Sequence, residues 1–443
     1  MKTLFKTKIY ALLFIIGLFI FSTLIINTSL FDEKLDSRVA TIIKASSPAP
    51  SVEGNAYFAL MGISAAAGKD ITHTGLELIM RYMQNREHGD DSLNSDDYQE
   101  ILAIDRQIDN QWLDRYDNCT SRKEYGCLGK LSKQLLITPI DGERLSLMLQ
   151  RYDHIMQMSS YQNLKHISHG SPMPRYGVIL KLSQLKLAEL YNSAEKIAFL
   201  SQIAKELDFW KMQLTSGTMI IDKMVAVAGI RNNLSYLSEF MLANLLSEQE
   251  YTVINSLLIP LNQAELDISE GFVSESRTMF QQIEAKHSTL FVPSSMLLQP
   301  HATMNMVYQY FTEPMVSLNQ MKLEEFIHFL HSDNNNQRRK QVESLLSFTP
   351  DSLYNYNGKT FISANYCLNC QDYIARMHDI NNMMNLLKLQ LSLKINGKTA
   401  TKQVVLNSEV INPYTSKAYD FDSTGNWLQF DCLDPSSKCR IKL

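Results

Sequence analysis

Eighteen consecutive residues without a charge, Ile9 to Ile26, constrain this 443-residue chain more than any other feature. As a helix rising 1.5 Å per residue they cover roughly 27 Å, close to the hydrocarbon thickness of a bilayer. Lys2, Lys6 and Lys8 precede the run, and Asp32 and Glu33 follow it. The lysines predict a cytoplasmic tail over 1–8, a transmembrane helix within 9–30, and export of everything beyond it. A cleaved signal peptide is the competing reading; it has an apolar core of about 7–15 residues and a small-x-small site soon after. Here Asn27-Thr28-Ser29-Leu30-Phe31 puts bulky residues at that place, and the nearest passable site, Ala45 to Ser47, lies far downstream. No cysteine follows the run to take a lipid. The expectation is an uncleaved single-pass anchor, with the bulk of the chain exported across the membrane.

Beyond the anchor, roughly 410 residues are enough for two or three cores. Setting the three tail lysines aside leaves 39 basic against 46 acidic residues, a net charge of −7. An acidic body without a long basic run repels phosphate backbones, which argues against nucleic acid as a partner. The membrane and a protein of the cell envelope are the partners expected instead, with no cofactor. The 21 Met and 42 aromatic residues suit adaptable, thickly packed helix interfaces.

Six cysteines form three close pairs: Cys119/Cys127, Cys367/Cys370 and Cys432/Cys439. In an oxidising compartment, local pairing predicts three disulfides, each worth about 2–3 kcal/mol on loop-entropy grounds; cross pairing of the last two pairs stays open.

Helical periodicity dominates the body. Residues 31–54, with Ser46-Ser47-Pro48-Ala49-Pro50-Ser51, read as a flexible tether. Order is expected from Asn55 onward. Asp141 reads as a helix N-cap, and 176–191 as a central helix apolar on more than one face. Leu200, Ile203, Leu207, Trp210 and Leu214 form one stripe, and Val227, Ile230, Leu234, Leu237 and Met241 another. The short Thr215-Ser216-Gly217 link folds the two back as an antiparallel hairpin. Further helices are expected over 262–287 and 302–331, with a break at Asp333 to Asn336. Asn357-Gly358 reads as a hairpin turn. A last stripe runs from Tyr373 to Leu391, and two short strands flank Gly425-Asn426. The fold class is therefore mainly α, with an α-helical body over 55–356 (sub-boundary near 288–300) and a module over 357–443 combining a helix, disulfides and a small C-terminal β-hairpin.

The segment Asn55-Ala-Tyr-Phe-Ala-Leu-Met-Gly62, the cysteine pair 119/127 and the Asn412-Pro-Tyr-Thr-Ser-Lys417 turn resemble an uncharacterised group of membrane-anchored proteins from Gram-negative bacteria. The resemblance implies an inner-membrane setting and carries over no activity.

Two constellations bear on chemistry. Glu284/His287 and Glu325/His328 are both E-x-x-H, the spacing di-metal carboxylate bundles use on two of four helices. Cys367-Leu-Asn-Cys370 is a C-x-x-C, which can support thiol–disulfide exchange, although no βαβ pattern surrounds it. His166/His169 read as an exposed loop pair. Ser193-Ala-Glu-Lys196 lacks the companion motifs of a Ser/Lys hydrolase and falls inside an expected helical run. Gly62 to Lys69 departs from a phosphate loop in length and in Asp70. Asp222-Lys223 reads as a partly buried charge pair. The leading reading is a non-enzymatic, membrane-tethered periplasmic helical binding or scaffold protein. A metal-dependent enzyme and a thiol–disulfide exchange protein are the alternatives.

Overall fold

A computed structural model describes residues 2–45, 51–87, 93, 95–102, 116, 125–137, 143–163, 170–191, 193, 195–288, 297–347, 353–367, 369–395 and 402–443. These are mostly helical. In chain order the helices are α1 (Lys2–Ile26), α2 (Ser37–Lys44), α3 (Ala56–Met61), α4 (Ile71–Glu87), α5 (Ser95–Leu102), α6 (Cys127–Ile137), α7 (Glu143–Ile155), α8 (Tyr176–Tyr191), α9 (Lys196–Ser216) and α10 (Ile220–Ala243). There follow α11 (Glu248–Leu257), α12 (Gln263–Leu266), α13 (Ser269–Ser288), α14 (Pro300–Val307), α15 (Glu313–Asn319), α16 (Leu323–His331), α17 (Asn334–Ser344), α18 (Tyr356–Asn365), α19 (Gln371–Ile395) and α20 (Lys402–Leu406). Three strands, β1 (Asp420–Asp422), β2 (Trp427–Phe430) and β3 (Cys439–Lys442), make an antiparallel sheet in that order. The architecture is mainly α with a small C-terminal sheet, one strand larger than the hairpin expected.

The chain forms two compact units: Met1–Ser47 with Phe272–Cys370, and Pro48–Gly271 with Gln371–Leu443. The boundary expected at 356/357 falls at the start of α18, and the one expected near 288–300 falls inside the first unit.

In the first unit, α1 carries a 21-residue stretch, Lys6–Ile26, long and apolar enough to cross a membrane and with none of its residues buried. The core of the unit joins Val39 of α2 to Phe280 and Ile283 of α13, Met304 and Val307 of α14, Val342 of α17, and Phe361 and Ile362 of α18. The expected tether is thus corrected over 37–44. Asp36 caps α2 by accepting from Arg38 N at 2.8 Å, and Val39 is fully buried. Residues 46–50, the Ser/Pro part of that tether, lie outside the described residues. The break expected at Asp333 to Asn336 falls at Ser332–Asp333, between α16 and α17, and the Asn run itself opens α17.

Asn357-Gly358 makes no hairpin either. Asn355 takes the left-handed conformation at φ 52° and caps α18, in which Asn357 and Gly358 lie. A Cβ on Gly358 would stand 2.1 Å from Thr303 Oγ1, so glycine is needed there for close packing of α18 on α14, not for a turn.

The second unit is built on the α9–α10 hairpin, antiparallel as the two stripes predict. Phe199 and Phe240 stack at 4.4 Å near one end, Trp210 lies against Gly229 in the middle, and Gln213 Nε2 donates to Asp222 O at 2.8 Å near the turn. Trp210 is wholly buried, and removing a side chain of that size from a core costs about 3–5 kcal/mol. Helix α8 packs on α9, α19 packs on α10, and β3 packs on both α10 and α19. Asn55 caps α3 by accepting from Tyr57 N at 3.1 Å, where order was expected to begin. Asp141, His166, His169 and Cys119 lie outside the described residues.

Candidate functional site

Among the described residues, the second unit buries several carboxylates between apolar helices. Asp222 stands in the first turn of α10 and is 0 % exposed. Its Oδ1 accepts from Tyr161 Oη at 3.0 Å and from Tyr176 Oη, while Oδ2 accepts from Asn163 Nδ2 at 2.6 Å and Met219 N at 3.3 Å. Asn163 Oδ1 in turn accepts from Thr218 N and Oγ1 at 3.2 and 2.8 Å. Burial pushes the Asp222 carboxyl up to about 6, against the lowering effect of the tyrosines and the backbone. Lys223, equally buried, turns to backbone carbonyls, those of Leu214 and Asp267, at the ends of neighbouring segments. The expected charge pair is thus two separate buried anchors, each tied to different partners.

Two glutamates extend this pattern. Glu206 on α9 accepts from Ser183 Oγ of α8 at 2.6 Å and from Gln202 Nε2 at 3.1 Å. Tyr152 Oη and the Asn233 amide lie beside it without a hydrogen bond of ordinary geometry. Glu239 near the end of α10 accepts from Leu128 N at 3.1 Å, at the first turn of α6, where helix N–H groups have no partner within their own helix. Burial pushes both carboxyls up to about 7.

A fourth acid, Asp379 of α19, accepts from Leu433 N at 2.9 Å, Asp434 N at 3.0 Å and Tyr414 Oη at 2.9 Å, and burial raises it to about 6. Asp434 behaves oppositely. Burial would raise it, but Arg376 Nε at 2.8 Å and the hydroxyls of Ser436 and Ser437 hold it at about 2. This ties the Asn412–Lys417 turn and the disulfide loop 432–439 to α19. All five acids are buried, and their carboxylate oxygens are taken up by contacts that join one segment to another.

The residues singled out by sequence are placed differently. Phe326 and Phe329 form the inward face of α16, which turns Glu325 and His328 outward, and both are exposed. Glu325 Oε2 accepts from Lys322 N at 3.3 Å, a helix-start contact. Glu284 is exposed, and the His287 side chain lies outside the described residues. Among the described residues one trio of metal-type ligands lies together, Asp379 with Cys432 and Cys439. Its two sulfurs are bonded to each other and its carboxylate already accepts three hydrogen bonds. Cys367 and Cys370 are joined by a disulfide, with Cys370 buried and Cys367 half-buried. Cys127 is disulfide-bonded as well. Local pairing therefore holds for 367/370 and 432/439.

Around Gly62 to Lys69 the backbone offers carbonyls: Ile63, Ala65 and Ala66 O accept from the Arg151 guanidinium at 2.8, 2.5 and 2.8 Å. A phosphate loop presents N–H groups instead. Lys196 opens α9 and donates to Leu245 O, with Ser193 outside the helix, so the S-x-x-K residues share no site.

Sequence reading passed over Glu206, Glu239 and Asp379. The available signal was a carboxylate inside an apolar helical run: Glu206 sits between Ile203 and Leu207, and Asp379 between Met377 and Ile380. No family model, characterised protein or solved structure matches this chain.

Proposed function

We propose that the chain is a membrane-anchored, non-catalytic helical protein whose body lies in the periplasm and acts as a binding or scaffold module. The N-terminus stays in the cytoplasm and α1 remains attached. The observation that carries this reading is that the residues just after α1 are part of the folded first unit. Asn27 is buried and bonded to Leu353 O and Asn355 N, and Arg38 reaches Glu313 Oε1 at 2.6 Å. Cleavage anywhere from 27 to 45 would remove part of that unit, which a dispensable leader does not do. The disulfides support an oxidising compartment. The acids of the second unit support a structural role, because each one holds two or more segments together.

Three measurements test the reading. The mature protein's N-terminal peptide, identified by mass spectrometry, is expected to contain α1, and a chain beginning after residue 30 sinks the anchor. Protease added outside spheroplasts is expected to digest the body. Crosslinking in cells is expected to trap a discrete envelope partner. A saturable turnover by the purified protein that one polar substitution abolishes would overturn the non-catalytic assignment.

A further inference from the structure

From the way α1 joins the first unit, we infer that this unit is seated on the lipid surface, with Leu30, Phe31 and Tyr356 in the headgroup layer. The inference rests on the anchor reading above and adds a face and an occupant to it. A flexible tether would let the body move freely relative to the bilayer; here the joint is fixed. Asn27 Nδ2 donates to Leu353 O at 2.9 Å, and Asn27 Oδ1 accepts from Asn355 N at 2.8 Å. Gln299 Nε2 donates to Thr28 O at 3.0 Å, and Asn355 Oδ1 accepts from Gln299 N at 2.8 Å. Tyr354 Oη donates to Phe31 O at 3.0 Å. Asp32 accepts from His301 N and Ala302 N, both at 3.0 Å, in the first turn of α14. Asn27 and Asn355 are both buried, so these bonds are shielded from competing water.

Geometry then sets the depth. The 21 residues of Lys6–Ile26 span roughly 30 Å, the full hydrocarbon core, which puts Ile26 at its edge. Leu30 and Phe31 follow in a single 3-10 turn, Ser29–Phe31, so they lie within about 10 Å of that edge, in the headgroup region. Tyr356 is distant in sequence yet adjoins Asn355, which is bonded directly to Asn27. Leu30, Phe31 and Tyr356 are 88 %, 53 % and 44 % exposed. Two apolar side chains and a tyrosine, continuous with a lipid-facing helix, match the residue types that membrane interfaces select. The occupant is therefore the bilayer α1 crosses.

The test uses the full chain in phosphatidylcholine/phosphatidylglycerol vesicles, with and without lipids brominated near the headgroup. Tyr356→Trp is compared with the parent protein, whose own tryptophan signal is subtracted. The expected result is that brominated lipid removes most of the added emission while iodide in the buffer leaves most of it. Adding Asn27→Ala releases the joint and is expected to reverse that preference, with circular dichroism unchanged. If the Tyr356→Trp emission is quenched by iodide and not by brominated lipid, the seating is wrong. Protection from both quenchers, with crosslinking to a second copy or another protein, also overturns it. Vesicle flotation after alkaline extraction separates the two readings: a chain that fails to float refutes the anchor, whereas one that floats with a water-exposed tryptophan refutes only the seating.

Discussion

Glu206→Gln should change the stability of the second unit in opposite directions at low and high pH. The folded-state pKa of about 7 stands 2.5 units above the ordinary 4.5, because the carboxyl is buried on every side. Since the folded value is raised, the stability linked to this group is fully present below about pH 4.5 and is lost as pH rises through 7. At 1.36 kcal/mol per unit, the ionised wild type forfeits about 3 kcal/mol above pH 8 that a glutamine does not. The substitution has its own cost. Glutamine keeps an acceptor for Gln202 but turns an N–H toward Ser183, which must rotate its hydroxyl to accept, a loss of about 1 kcal/mol. The variant should therefore be less stable than wild type by about 1 kcal/mol near pH 4, about equal to it near pH 5, and more stable by about 2 kcal/mol near pH 8.5. The other raised acids titrate in both proteins and cancel in the difference. Urea unfolding followed by tryptophan emission reads the right region, because all three tryptophans fall in the sequence ranges of the second unit. A difference that is constant from pH 4 to 8.5, or that grows more destabilising with pH, would refute the account of a buried carboxyl under desolvation.

Gly229→Ala should destabilise the α9–α10 hairpin by about 1–3 kcal/mol, because the new Cβ would stand 2.3 Å from Trp210 Cε2 and the indole must move. The same urea curves and a red-shifted emission check it. Arg376→Met should cost about 2–3 kcal/mol at neutral pH, below the range for a wholly buried pair because Arg376 is partly solvated. Asp434 is held at about 2 in the folded state, so its contribution is present above the ordinary 3.8 and is lost as pH falls toward 2; thermal melts of Arg376→Met from pH 6 to 2 should show a shallower acid limb than wild type.

What the sequence discloses here is periodicity, and what it hides is contact. The α9 and α10 stripes, the short link between them and the apolar α8 are visible because burial repeats every three to four residues. The cysteine pairs are visible because their separation is short. Gly358 was misread because Asn-Gly signals a turn only when both residues take positive φ. Here the left-handed residue is Asn355, and Gly358 is selected by Thr303, more than fifty residues away in sequence. The tether was misread for the same reason. Residues 37–44 hold Val39, Ile42 and Ile43 at helical spacing, but over barely two turns the pattern does not stand out, and it is Val39 and Ile42, with Asp36 as cap, that seat the helix in a core supplied by 280–362. The E-x-x-H pair at 325/328 was read from spacing without orientation: a spacing of three puts two residues on one face, and Phe326 and Phe329 decide which face that is. Glu206 and Glu239 needed the opposite reasoning, treating a lone acid within an apolar run as buried and asking what it holds.

The buried acids answer a problem that such helices create. Helix α10 is buried over most of its circumference, from Asp222 and Val225 to Asn232, Asn233, Tyr236 and Glu239, with only the stripe through 221, 224, 228, 231 and 235 less covered. A helix apolar on most faces has little amphipathic preference to fix its rotation, and a Met-rich core tolerates several packings. Polar contacts with strict geometry remove that freedom. Asp222 fixes the start of α10 to Tyr161, Asn163 and Tyr176, and Glu239 fixes its far end to the first turn of α6. Helix α10 is thereby pinned at both ends in rotation and in register. Asp222→Leu should then keep the helical far-ultraviolet signal while near-ultraviolet signal weakens, a hydrophobic dye binds, and urea unfolding loses cooperativity. A variant that stays sharply cooperative and binds no dye would mean that apolar shape alone specifies the bundle, and that the buried carboxylates are there for some reason other than register.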